Sequence, residues 1–367
     1  MAVQLKNYYI LHYHFDKVAG TERVLYNLIE HLCKQSEIKV HLILLKEKHP
    51  LVFNIQDLPI QIHFLNIDNY TKSSKSSLIK TIYKTSKSLK NLFNNNEKSI
   101  LLTTNVYLAY AAFLTKNINN FSNLEIVSCE HFTITATSNI TNIFRYLFYS
   151  KINVVMLTET DRDFIQNKYK PKVCVCIPNA IPFDLQTYKG ITSKNIIAIG
   201  RYTKQKGFDL LIESFALISK EFSDWKLQII GDDYGDKPLL QQLITKHQLH
   251  NVELLPATNQ IKNYYENASF YVMSSRFEGL PMVLLEALGF GLPIVSFNCP
   301  TGPAQVVSNK NGILVENGNV FALAEAIKLM INDENQRKNK AKGAEEVAHH
   351  FSKEHINILW DDFFKEI

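Results

Sequence analysis

Short apolar runs alternate with amphipathic helical stretches along this chain, and this rhythm restricts the fold more than any other feature. Runs at residues 7–13, 38–45, 61–65, 99–104, 125–129, 153–157 and 173–177 read as buried strands, most of them separated by helical segments. Residues 21–34 illustrate the helical pattern, with Val24, Leu25, Leu28, Ile29 and Leu32 on one face. Strands joined through helices form parallel sheets covered on both faces. The rhythm restarts with strands at 195–200, 226–231, 252–255, 270–273 and 293–297 and helices near 207–220, 237–248 and 282–291. Beyond residue 318 the pattern turns helical, over 322–331, 335–350 and 352–364. The fold class is therefore α/β, with two parallel sheets, each covered on both faces by helices. Residues 181–194 contain Pro182 and Gly190, lack a core pattern, and read as the linker.

A length of 367 residues suits two domains, and 46% hydrophobic residues can fill two cores. No uncharged apolar run approaches the roughly 18 residues that a membrane span needs. Nothing near Met1 has the pattern of a signal peptide. Five scattered cysteines, Cys33, Cys129, Cys174, Cys176 and Cys299, argue against a disulfide framework and for a reducing cytoplasm. Residues 1–190 hold 22 Lys and Arg against 14 Asp and Glu, a balance of +8, whereas the remainder has 18 against 21, or −3. The first half is thus the one suited to an anionic surface.

The most informative segment is 275–302, SRFEGLPMVLLEALGFGLPIVSFNCPTG. Gly279 permits a tight turn, and Pro281 fits the first helical position, where its missing N–H costs nothing. The following helix would offer its N-terminal N–H groups to a phosphate. Glu278 precedes that helix and Glu286 lies in its second turn, with seven residues between them. Carboxylates repel a diphosphate but accept hydrogen bonds from a vicinal diol, so hydroxyls of a ribose or hexose are their expected partners.

This F-E-G-L-P-x-x-x-x-E-A pattern resembles the signature of glycosyltransferase family 4, retaining enzymes of the GT-B fold. The resemblance implies two Rossmann-like, doubly wound domains facing across a cleft. Residues 1–182 would bind the acceptor, 183–350 the nucleotide sugar, and 351–367, around Trp360, would form a helix crossing back to the first domain. It assigns Glu278 to the donor sugar and Glu286 to the ribose, and sets Gly279, Leu280 and Pro281 among the nucleotide-sugar contacts. The stretch from Gly200 to Gly207, with Arg201 and Lys206, is similar to the family loop whose cations neutralise the leaving diphosphate, so no metal or other cofactor is expected. Val18, Ala19 and Gly20 look like the glycine loop that approaches the donor, with Ala19 in place of a frequent glycine. In Glu130-His131-Phe132, the resemblance sets His131 against the donor sugar; His12 and His14 are weaker candidates.

Two departures stand out. Asp233 replaces the last glycine of a G-D-G strand end, and Gln305 stands where a glutamate is usual. Thr158 and Asn179 resemble family landmarks but read as a helix cap and a turn. Asp161 and Asp163 spell D-x-D, yet residues two apart on a helix diverge and cannot chelate one ion. Lys72, Lys75, Lys80, Lys84, Lys87 and Lys90 fall in a stretch without acids, where Leu78, Ile82, Leu89 and Phe93 recur at helical spacing. Two readings stand: a helix packed on the sheet with a solvated lysine face, or a helix on an anionic membrane surface.

The expected activity is transfer of a hexose or N-acetylhexosamine from a UDP-linked donor to a saccharide acceptor, lipid-linked, in bacterial surface polysaccharide or lipopolysaccharide synthesis. The expected place is the cytoplasm, at the inner face of the membrane. A nucleotide-sugar epimerase on the same fold and a non-catalytic sugar-nucleotide sensor are the rival readings.

Overall fold

The computed structural model describes residues 6–16, 20–47, 50–67, 75–131, 134 and 137–367. Val18, Ala19, Lys72 and Phe132 lie outside them. The chain divides into two compact units, residues 1–178 with 357–367, and residues 179–356.

The first unit opens with β1 (Lys6–His12), α1 (Gly20–Cys33), β2 (Ile38–Leu44) and β3 (Ile60–Phe64). It continues through α2 (Lys75–Leu89), β4 (Ser99–Thr103), α3 (Val106–Ile118) and β5 (Leu124–Cys129). Then follow α4 (Asn139–Phe148), β6 (Asn153–Met156), α5 (Glu159–Tyr169) and β7 (Cys174–Cys176). All seven strands pair in parallel, in the order β3-β2-β1-β4-β5-β6-β7. β1 therefore lies between β2 and β4, and connections leave this central pair in opposite directions. The core fills with both-face apolar strands, Leu11, Leu101, Val154 and Met156 among them, against Leu108, Ala112 and Phe148 of the helices.

In the second unit come β8 (Asn195–Ile199), α6 (Phe208–Ala216), β9 (Lys226–Ile230), α7 (Lys237–Lys246) and β10 (Val252–Leu255). Next are α8 (Ile261–Glu266), β11 (Phe270–Met273), α9 (Met282–Gly289), β12 (Ile294–Asn298), α10 (Pro303–Val306) and β13 (Gly312–Glu316). The helices α11 (Val320–Asn332), α12 (Glu334–Ala348) and α13 (Lys353–Glu366) complete the chain. The six strands are parallel, in the order β10-β9-β8-β11-β12-β13, so β8 and β11 are the central pair. The core joins Ile196, Ala198, Leu227 and Val272 to Phe215, Leu323 and Ile327.

Two details differ from the sequence expectations, and a third bears on the two readings of the lysine-rich helix. The segment read as a linker is part of the second unit: Ile181 is fully buried and its N–H donates to Phe351 O at 2.7 Å, while Tyr188 OH donates to Ser269 O at 2.7 Å. Strand β13 falls in residues that the pattern left unassigned, just before the helical tail. Finally, Leu78 and Ile82 of the lysine-rich helix pack on Ala111 of α3, and Leu89 and Phe93 join the main core. The apolar stripe of α2 is core; the helix exposes Lys80, Lys84 and Lys87 with Ile79 and Tyr83, and Lys90 is exposed just after it.

The C-terminal residues 357–367 belong to the first unit. There Phe364 meets the Tyr8 ring edge-on at 4.9 Å, and Asp361 accepts from His31 at 2.9 Å. Among the described residues, no helix is long and apolar enough to cross a membrane.

Candidate functional site

In an open parallel sheet, ligands bind beyond the carboxyl ends of the strands, where the connections diverge. In the second unit that point lies beyond β8 and β11. The loop after β8 contains Gly200, Arg201 and Lys206; the loop after β11 contains Glu278, Gly279, Leu280 and Pro281. Lys206 Nζ lies 2.8 Å from Glu278 Oε1, with only 15% and 10% of the two side chains exposed. The expected phosphate cation and the expected sugar carboxylate are thus direct partners. Gly200 makes room for this pair: a Cβ there would press on the Lys206 stem at 3.0 Å.

Both loops are fastened to each other. Arg276 forks onto Asp209 at 2.8 and 2.6 Å and also donates to Lys204 O at 2.7 Å. Gln205 Nε2 donates to Phe277 O at 3.1 Å, and Ser274 Oγ to Lys206 O at 3.0 Å. A bidentate guanidinium–carboxylate pair fixes direction as well as distance. Glu278 is held through its backbone as well, donating to Pro300 O at 3.0 Å and accepting from Thr301 N–H at 2.9 Å. Gly302 permits that approach, because a Cβ there would sit 1.7 Å from Gly279 O.

Glu286 projects from α9, and its Oε2 accepts from Tyr265 OH at 2.7 Å. Tyr265 stacks on Phe290 with ring centres 5.3 Å apart and planes within 6°. Pro281 takes the cap position of α9 in extended conformation, one place before the first helical residue expected of it. Arg201 is exposed, with its guanidinium 5.3 Å from the Tyr234 ring centre. Asp233 has a local duty: its carboxylate accepts from the N–H groups of Gly235 and Lys237 at 2.8 and 3.1 Å, at the start of α7.

Beyond β1 and β4 in the first unit, His12 Nδ1 lies 2.7 Å from Thr104 Oγ1, and its Nε2 3.4 Å from Glu22 Oε1. Gly20 is the first residue of α1 and brings Glu22 into its opening turn. His131 follows β5; its Nε2 is shut off from solvent and has no hydrogen-bond partner among the described residues. Burial, with the His12 charge in support and Glu22 opposing, pushes its pKa down to about 4. The residue before it is anchored: Glu130 accepts from Arg145 Nε at 2.9 Å and from Tyr149 OH at 2.6 Å, and Arg145 is fully buried. His14 pairs instead with Asp16 at 2.7 Å. Asp161 is engaged by the Thr158 cap, and Asp163 pairs with Arg162 at 2.8 Å, so neither carboxylate of the D-x-D sequence points to a common ion.

Sequence reasoning missed Arg276, Asp209, Tyr265 and Glu22. The first two are 67 residues apart, and no local pattern announces such a pair. For Glu22 a signal existed, an acid two residues after Gly20 of the family loop.

Residues 186–347 match the family described as glycosyl transferases group 1. An uncharacterized glycosyltransferase of Haemophilus influenzae is 30% identical over 321 residues, 86% of this chain and 87% of its own. A Campylobacter jejuni relative, N-acetylgalactosamine-N,N'-diacetylbacillosaminyl-diphospho-undecaprenol 4-alpha-N-acetylgalactosaminyltransferase, is 28% identical over 88% of this chain and 90% of its own. Among solved structures, TarM aligns with a TM-score of 0.82 at 17% identity, over 98% of this chain and 99% of its own. A mutant of S. aureus TarM in complex with fondaparinux, alpha-GlcNAc-glycerol and UDP gives 0.78 at 17% identity, over 98% of this chain and 100% of its own. These structural likenesses establish the fold, two Rossmann-like units of the GT-B class.

The depressed pKa of His131 has a measurable outcome. The folded value of about 4 lies below the ordinary 6.5, so the unfolded chain binds the proton first as pH falls. His131 should remain neutral at pH 6 and titrate only near pH 4 in histidine-resolved NMR, and its contribution to stability should be lost across that window. Titration at an ordinary 6.5 would show that the ring is open to water.

Proposed function

The chain belongs to the glycosyl transferases group 1 family, and on that premise we propose a retaining enzyme that moves a hexose or N-acetylhexosamine from a UDP-linked donor to a lipid-linked saccharide. The setting is synthesis of bacterial surface polysaccharide or lipopolysaccharide. The contact between Lys206 and Glu278 beyond β8 and β11 is the observation that supports it most directly. The presence of UDP with TarM and the undecaprenol-linked saccharide in the Campylobacter relative's name support the donor and acceptor classes.

Cleavage of the glycosyl–phosphate bond leaves negative charge on the diphosphate and positive charge on the sugar. Lys206 and Arg201 stabilise the first, together with the N–H groups at the start of α9. Glu278 stabilises the second, and its existing pairing keeps Lys206 aimed and neutralised until phosphate oxygens share the cation. Glu286, oriented by Tyr265, takes the ribose diol. His131, neutral and anchored behind by Glu130, meets a sugar hydroxyl. The departing diphosphate accepts the proton of the attacking hydroxyl, so no protein nucleophile is needed. These cations do the work that a divalent metal does elsewhere.

Four outcomes test this reading. Glu286→Gln should weaken binding of UDP and UDP-sugar alike. Glu278→Gln should keep UDP affinity and cut turnover by roughly a hundredfold, since its interaction matters mainly as charge develops. Wild-type kinetics from both folded variants would remove the assignment's main support. Transfer should also survive EDTA, and a full loss restored by magnesium or manganese would overturn metal independence. Finally, the exposed lysines of α2 with Ile79 and Tyr83 suit an anionic membrane surface. Each lysine near such a surface is worth about 1 kcal/mol. Replacing Lys80, Lys84 and Lys87 by Glu should abolish co-sedimentation with phosphatidylglycerol vesicles, and unchanged binding would reduce α2 to a solvated face.

A further inference from the structure

Arg201 stands between two residues whose backbones are tied to the neighbouring strand. Gly200 N–H donates to Ile230 O at 2.9 Å, and Tyr202 N–H donates to Asp232 O at 2.8 Å, which carries the pairing of β8 with β9 past the ends of both strands. Tyr202 is itself buried, and its hydroxyl lies 2.6 Å from Leu255 O and 2.9 Å from Ile229 O. The Arg201 backbone is thus set by the sheet, and only the side chain keeps its freedom. That freedom is large, because an exposed arginine has many rotamers to lose before it forks onto an anion.

Tyr234 stands where this freedom can be reduced. Its N–H donates to Tyr202 O at 3.3 Å, so the loop after β9 is laced to the loop after β8. Its ring is 62% exposed, yet the Arg201 guanidinium lies over it, 5.3 Å from the ring centre. That distance is within the ~6 Å reach of a cation–π contact. Asp233, in place of the usual glycine, builds the turn that presents the ring. Its carboxylate holds the N–H groups of Gly235 and Lys237, and Gly235 takes a positive φ of 113°, which a residue with a side chain rarely adopts. A cation–π contact acts on the positive charge and uses none of the N–H donors of the guanidinium. Held in this way, the arginine keeps its fork for phosphate oxygens.

We propose that Tyr234 is a positioning residue for the diphosphate of the donor: it holds the Arg201 side chain at the loop after β8, and the turn made by Asp233 holds Tyr234 in place to do so. The proposal rests on the reading of Arg201 as a diphosphate cation given above, and it concerns the second unit alone. It gives the departure at Asp233 a consequence beyond the start of α7.

The test is a double-mutant cycle, read by calorimetric titration of the full chain with UDP. Arg201→Gln should weaken UDP binding by roughly tenfold or more, the scale of losing a charged hydrogen-bond donor. Tyr234→Leu should weaken it about two- to fivefold, the scale of an exposed cation–π contact. Tyr234→Phe, which keeps the π face, should bind as the wild type does. In the Arg201→Gln background, Tyr234→Leu should cost nothing further. Wild-type affinity in Tyr234→Leu overturns the proposal. An equal loss from Tyr234→Leu in both backgrounds overturns it too, being the mark of a ring that meets the ligand itself or merely supports its loop, and so does a Tyr234→Phe variant as weak as the leucine one. Undiminished UDP affinity in Arg201→Gln overturns the role given to that cation, and a wild-type chain that binds no UDP overturns the donor reading itself.

Discussion

Parallel pairing is the constraint from which the rest follows. Two parallel neighbours need a crossover, and a central pair such as β8 and β11 must send its crossovers to opposite sides of the sheet. The loops leaving those strands then diverge, opening backbone and side chains at one end of the sheet. The first unit repeats the device with β1 and β4. In each unit the chemically distinctive residues gather at that end: Lys206 and Glu278 in one, His12, Glu22 and His131 in the other. Neither cluster is prominent in composition; each is a product of strand order.

What keeps the second cluster's loops from collapsing is a division of labour between two ion pairs. Arg276 and Asp209 form the bidentate pair, reinforced by contacts to Lys204 O, and serve as a fastener. Lys206 and Glu278 form a single contact. A single contact is the easier one to share with an arriving anion, whereas the fork resists because both oxygens are engaged. The same contrast holds in the first unit, where fully engaged Glu130, Arg145 and Tyr149 back a histidine whose outer nitrogen has no such engagement.

The sequence made the alternation of strands and helices legible, because parallel strands buried on both faces are continuous apolar runs. It also made the signature glutamates and the basic loop legible, through their fixed local spacing. Contacts across long separations were not legible. Arg276 and Asp209 look like ordinary surface charges until the sheet brings them together, and Tyr265 looks like any helix aromatic until it is found on Glu286. The lysine helix illustrates a different limit: spacing identifies an apolar stripe without saying what it faces, and only α3 and α4 reveal that the stripe is core. The segment around Ile181 misled for the opposite reason, since its burial comes from isolated residues rather than a repeating pattern.

The first unit is discontinuous: residues 1–178 are completed by 357–367. A ribosome that has made the seventh strand must therefore synthesise the whole second unit before Tyr8 can meet Phe364 or His31 can meet Asp361. The interval covers 356 − 178 = 178 residues, roughly ten to forty seconds at ordinary elongation rates of about 5–20 residues per second. During that time one face of the earliest-made unit lacks Trp360, Phe363 and Phe364, all buried in the finished chain. The order of birth and the order of completion are thus reversed, and the first unit to emerge is the last to be finished.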